Sequence, residues 1–109
     1  MTITVIVAAQ VSDFDQWKAQ FDSLEKQRLE AGIRLRAYCM LDNSNASYVI
    51  GTAPSKEAFM KFFSSPERQA IQESGIITSK PEITFLKWSA PTQILSKWAK
   101  IRENYTERE

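Results

Sequence analysis

The stretch 33-IRLRAYCMLDNSNASYVIGT-52 decides how the chain is read. Its first half alternates, so Ile33, Leu35, Ala37, Cys39 and Leu41 share one side while Arg34, Arg36, Tyr38 and Met40 share the other. That period of two predicts a two-faced strand over 33–41. Asp42-Asn43-Ser44-Asn45 is a cluster of turn formers, and Ala46 to Thr52 predicts a strand returning antiparallel to the first. The middle of the chain is therefore a β-hairpin.

Upstream, Thr2 to Ala9 is β-branched and too short for a buried helix, which predicts a strand with Ile3, Val5 and Val7 on one face. Ser12, with Asp15 three positions later, predicts a capped helix start. The helix carries an apolar stripe, Phe14, Trp17, Phe21 and Leu24, and stops at Gly32. Downstream, Ser55 is the expected cap of a helix bearing Ala58, Phe59, Phe62 and Phe63, and Ser65-Pro66-Glu67 restarts a helix that ends at Gly75. Glu82 to Trp88 then predicts a last strand, with Ile83 and Phe85 opposed to Thr84, Leu86 and Trp88.

The order is βαββαβ, an α+β chain whose right-handed crossovers place both helical layers on one face of a four-stranded antiparallel sheet, the ferredoxin-like arrangement. Residues 1–88 form this domain. Residues 89–109 form a C-terminal extension, in which Thr92 caps an expected helix with Ile94, Trp98, Ile101 and Tyr105 on one stripe. The helix-free sheet face would expose Ile6, Tyr38, Met40, Leu86 and Trp88, a patch too apolar for a typical soluble monomer. A homodimer built on that face, the C-terminal helix, or both are expected to cover it.

The element order resembles the dimeric α/β barrel superfamily, which includes antibiotic biosynthesis monooxygenase-like proteins. The likeness covers residues 2–88. It rests on Ser12-Asp13-Phe14-Asp15-Gln16-Trp17, Glu30-Ala31-Gly32-Ile33, Phe59 to Glu67 with Glu73-Ser74-Gly75, and Pro81 to Leu86. The resemblance implies a cofactor-independent monooxygenase acting on a small aromatic or anionic molecule, with Trp, Tyr, Asn and Arg side chains orienting it. A non-catalytic ligand-binding protein and a purely structural dimerisation module are the alternatives. Haem-degrading and chlorite-dismutase-like members of this superfamily use an iron-bound histidine, which this chain lacks.

Composition narrows the chemistry further. The 109 residues suit one domain and not two. Fourteen basic and 13 acidic residues leave a net charge of +1, so no basic field exists to hold nucleic acid or an anionic membrane. With no histidine and a single cysteine, His-based triads, Cys/His zinc sites and internal disulfides are excluded, and neither metal nor cofactor is expected. No apolar run approaches the roughly 20 residues of a membrane span, and no basic leader precedes Thr2-Ile3-Thr4-Val5, so a cytoplasmic protein is expected.

No catalytic motif emerges from Trp17, Tyr48, Asn43 and Asn45, and Trp17 reads as core. Arg34 and Arg36, two residues apart on one strand face, could converge on a carboxylate or enolate, or stand as solvated charges pairing with Glu82. Tyr38 shares their face. Trp88 could line a barrel cavity or meet a second subunit. Arg34, Arg36, Tyr38 and Trp88 are thus the candidate ligand residues. Asp13, Asp15 and Asp42 are explained by helix and turn chemistry, and Cys39 by burial among its apolar neighbours.

Overall fold

The strand with the most β-branched residues, Ile3–Gln10 (β1), lies inside the sheet and pairs on both sides. In the computed structural model, which describes residues 2–89, it is followed by α1 (Phe14–Ser23), α2 (Glu25–Glu30), β2 (Arg34–Met40) and β3 (Asn43–Ala53). Then come α3 (Lys56–Phe63), α4 (Pro66–Glu73) and β4 (Glu82–Leu86). The four strands pair antiparallel in the order β2-β3-β1-β4, which is the ferredoxin-like α+β arrangement. Residues 90–109, on which the expected C-terminal helix falls, lie outside the described residues.

Register assigns the two faces. Val5 opposes Gly51 and Phe85, and Val7 opposes Val49 and Ile83, so these residues turn together toward the helices. The core is completed by Trp17 of α1, Phe59 and Phe62 of α3, Ile71 of α4, and Val11, Ile33 and Ile77 from the connections. On the opposite face three cross-strand rows run from β2 to β4: Arg34-Thr52-Thr4-Leu86, Arg36-Ile50-Ile6-Thr84 and Tyr38-Tyr48-Ala8-Glu82.

The first helix differs from its sequence reading at both ends. Asp13, not Ser12, is the N-cap: its carboxylate accepts from the Gln16 N–H at 3.1 Å. Ser12 is still held by the sheet end, its N–H donating to the Ile76 carbonyl at 2.9 Å. The expected single helix is also broken at Leu24 into α1 and α2. Gly32 does close α2, in the left-handed region at φ 77° where a side chain would be strained.

Two strand limits move as well. β3 begins at Asn43, inside the expected turn, with the Asn43 side-chain oxygen accepting from the Asn45 N–H at 3.1 Å. β4 ends at Leu86, which pairs with Thr4 of β1, so Lys87 and Trp88 lie beyond the strand. Cys39, expected buried, is exposed, since β2 is an edge strand whose register slips between Cys39 and Met40 beyond the cover of the helices.

Candidate functional site

Between sheet and helices the core is not closed. A cavity of about 60 Å³ opens there, walled by Val7, Leu35 and Val49 from the sheet, Trp17 and Phe21 from α1, and Phe59, Phe62 and Phe63 from α3. Aromatic contacts shape it. The Trp17 ring stacks on Phe21 at 5.3 Å between centroids and tilts against Phe14 at 5.5 Å. Phe59 stacks on Phe63 and meets Phe85 edge-on, each at 5.7 Å.

Two arginines enter this apolar wall, Arg28 from α2 and Arg68 from α4. Arg28 is almost fully buried, and its role is structural. It donates from Nη1 to the Phe21 carbonyl at 2.7 Å and lies over the Phe21 ring, 3.7 Å from its centroid. The bond adds a second donor to an end-of-helix carbonyl of α1 that already accepts from the Leu24 N–H, and ties α2 back across the break at Leu24. Burial lowers its pKa, while the charges of Glu25 and Asp22 act in the opposite direction.

Arg68 is held less completely. Its guanidinium sits over the Phe63 ring at 4.0 Å, and Nη2 donates to Gln72 at 3.2 Å. Its Nη1 is buried and has no hydrogen-bond partner among the described residues. Burial lowers its pKa too, yet a guanidinium stays charged at neutral pH. An unmade hydrogen bond at a buried donor costs about 1–3 kcal/mol, so Arg68 Nη1 would gain from an acceptor brought within reach.

Among the described residues the other polar groups of the cavity are few: the Ser47 hydroxyl donates to the Ala9 carbonyl at 2.9 Å, and no described carboxylate, lysine or tyrosine contributes to the lining. Among the described residues no group of three or more His, Cys, Asp or Glu is placed to hold a metal ion. None of the described helices is long and apolar enough to cross a membrane.

The sequence-derived candidates lie elsewhere. Arg34, Arg36 and Tyr38 project from β2 onto the helix-free face, and Trp88 lies exposed beyond the end of β4. A pairing of Arg34 or Arg36 with Glu82 does not form within one chain, because β2 and β4 are opposite edges of the sheet. Trp17 is buried as expected and also faces the cavity. The arginines that reach the cavity had a signal in the spacing: Arg28 continues the stripe 14, 17, 21, 24 by one more step of four, and Arg68 lies three residues before buried Ile71.

No family model and no curated protein matches the sequence. Solved structures do match the fold. A conserved protein from Methanosarcina mazei Go1 has a TM-score of 0.68 at 17% identity, over 82% of this chain and 94% of that one. A proposed antibiotic biosynthesis monooxygenase from Bordetella bronchiseptica gives 0.69 at 11% identity, over 82% and 98%. A variant of SnoaB, a cofactor-independent oxygenase from Streptomyces nogalater, gives 0.63 at 15% identity, over 83% and 97%. At these identities the likeness speaks for fold, and the chain has the fold of the antibiotic biosynthesis monooxygenase-like proteins.

Proposed function

We propose that the cavity receives a small aromatic molecule bearing an ionisable hydroxyl or carboxylate, with Arg68 as its anion partner. The observation that carries this reading is the buried Nη1 of Arg68, which has no partner among the described residues, in a mainly aromatic and aliphatic wall. Aromatic walls match a flat apolar guest, and a cation with an unmade hydrogen bond orients its polar end. The cavity as it stands is smaller than the roughly 150 Å³ that holds a benzene ring, so a guest must displace half-buried rim side chains such as Phe63 and Pro81.

The same site supports oxygenation, a reading favoured by the structural likeness to a cofactor-independent oxygenase. With no base among the described lining residues, the substrate supplies its own acidity, and its proton leaves to water. Arg68 stabilises the resulting phenolate in a site of low dielectric. That anion gives one electron to dioxygen, and the two radicals join through a new C–O bond to a peroxide anion, which takes a proton back from water to become a hydroperoxide. The hydroperoxide then loses water to leave a quinone. Dioxygen is the oxidant, and the sequence of steps needs neither metal nor organic cofactor.

Calorimetric titration with 1-naphthoate, 1-naphthol and neutral 1-methoxynaphthalene tests the binding step. The acidic probes should bind at least about tenfold more tightly than the ether, the worth of one charged hydrogen bond. Equal affinities would remove Arg68 from the reading. An oxygen electrode tests the second step: enzyme-dependent oxygen uptake with 1-naphthol supports the oxygenase, and binding without uptake leaves a ligand carrier.

A further inference from the structure

The two arginines of the cavity differ in their electrostatic company. Burial lowers the pKa of Arg28, but the charges of Glu25 and Asp22 work against that effect. Nothing comparable surrounds Arg68. It makes no ion pair with a described residue, and burial lowers its pKa with no carboxylate acting in the opposite direction. α4 does carry two acids, Glu67 and Glu73, yet both are exposed, whereas the positions that touch the arginine and its aromatic support hold amides. Gln69 Nε2 donates to the Phe63 carbonyl at 3.5 Å, and Gln72 Oε1 accepts from Arg68 Nη2 at 3.2 Å.

Position 72 is where an ion-pair partner would be expected. It lies four residues after Arg68 on one helix, the spacing at which opposite charges meet. A carboxylate there would hold the same Nη2 and offset the charge of the guanidinium; glutamine holds it and leaves the charge whole. The difference is large here because both side chains are half-buried, where water screens less.

We propose that Gln72 is the specificity-determining residue of the cavity: by fixing Arg68 through a neutral acceptor, it keeps the site selective for an anionic guest over a neutral one of the same shape. This rests on Arg68 being the anion partner and adds what preserves its charge. An anion on Nη1 and a side chain on Nη2 of one guanidinium lie within about 10 Å of each other. At an effective dielectric constant of about 20, like charges at that distance change an affinity roughly tenfold or more.

Calorimetric titration of the wild type, Gln72→Glu and Gln72→Met with 1-naphthoate and 1-methoxynaphthalene provides the test. Gln72→Glu should raise the naphthoate Kd at least about tenfold and leave the ether within about threefold. Gln72→Met removes the acceptor but brings no charge, so its naphthoate Kd should stay within about threefold of the wild type. If Gln72→Glu keeps the wild-type preference for naphthoate over the ether, Gln72 is overturned while Arg68 stands as the anion partner. A wild type that binds the two probes equally overturns both. Loss of both probes in Gln72→Glu overturns the role of Gln72 as well, because the residue would then serve the fold. So does an equal loss of naphthoate in Gln72→Met, which would make the hydrogen bond, and not the absence of charge, the determinant.

Discussion

Replacing Arg68 by methionine should separate function from stability. Methionine keeps most of the unbranched stem and removes the charge. Three terms decide the stability change. Losing the guanidinium over Phe63 at 4.0 Å costs about 0.5–2 kcal/mol. Losing the 3.2 Å bond to Gln72 costs about 0.5–1 kcal/mol. Removing a buried donor that has no partner among the described residues returns about 1–3 kcal/mol. These nearly cancel, so urea unfolding should place Arg68→Met within about 1 kcal/mol of the wild type. Binding behaves differently. A charged hydrogen bond to an anion is worth about 1.5–3 kcal/mol, so the Kd for 1-naphthoate should rise roughly 10- to 150-fold, while 1-methoxynaphthalene binding is unchanged or tighter. A loss of more than about 2 kcal/mol in stability with naphthoate binding intact would refute the reasoning, because Arg68 would then serve the fold.

Three further outcomes are expected. Gly51→Ala should cost at least about 3 kcal/mol in urea unfolding, because a Cβ there would overlap the Arg34 carbonyl oxygen of β2, a backbone atom that cannot swing aside. Asp13→Ala should cost about 1 kcal/mol and Ser12→Ala only a few tenths, since Asp13 caps α1; the reverse order of the two melting temperatures would restore Ser12 as the cap. Calorimetric affinity for 1-naphthoate should be flat between about pH 6 and 9, because Arg68 stays protonated although burial lowers its pKa; weakening should begin only in strong alkali, as the guanidinium loses its proton.

The fold was legible because its signals are local and repeated. Alternation in 33–41, the stripe Phe14-Trp17-Phe21-Leu24 and the Ser-Pro-Glu restart at 65–67 each need only a few neighbouring residues to be read. The break at Leu24 was not legible, because 28 keeps the phase of 14, 17, 21 and 24 and periodicity carries across the break unchanged. Cys39 shows a second limit. Alternation assigns a face, but burial depends on whether a helix reaches that end of an edge strand. The cavity was the least legible. Its arginines sit at stripe positions where a charge reads as a break in an apolar pattern, and only packing shows that Arg28 is spent on Phe21 while Arg68 keeps a donor unpartnered among the described residues.

The ionisation of bound 1-naphthol tests the central claim most directly. Its anion absorbs at longer wavelength than the neutral form, so a spectrophotometric pH titration of the saturated complex reads the hydroxyl's pKa in place. If Arg68 is the anion partner, that pKa falls by at least about one unit below the value in free solution, the equivalent of about 1.4 kcal/mol, and returns toward it in Arg68→Met. An unshifted or raised pKa in the wild-type complex would contradict the account, since an apolar cavity without a cation at the hydroxyl can only disfavour the anion.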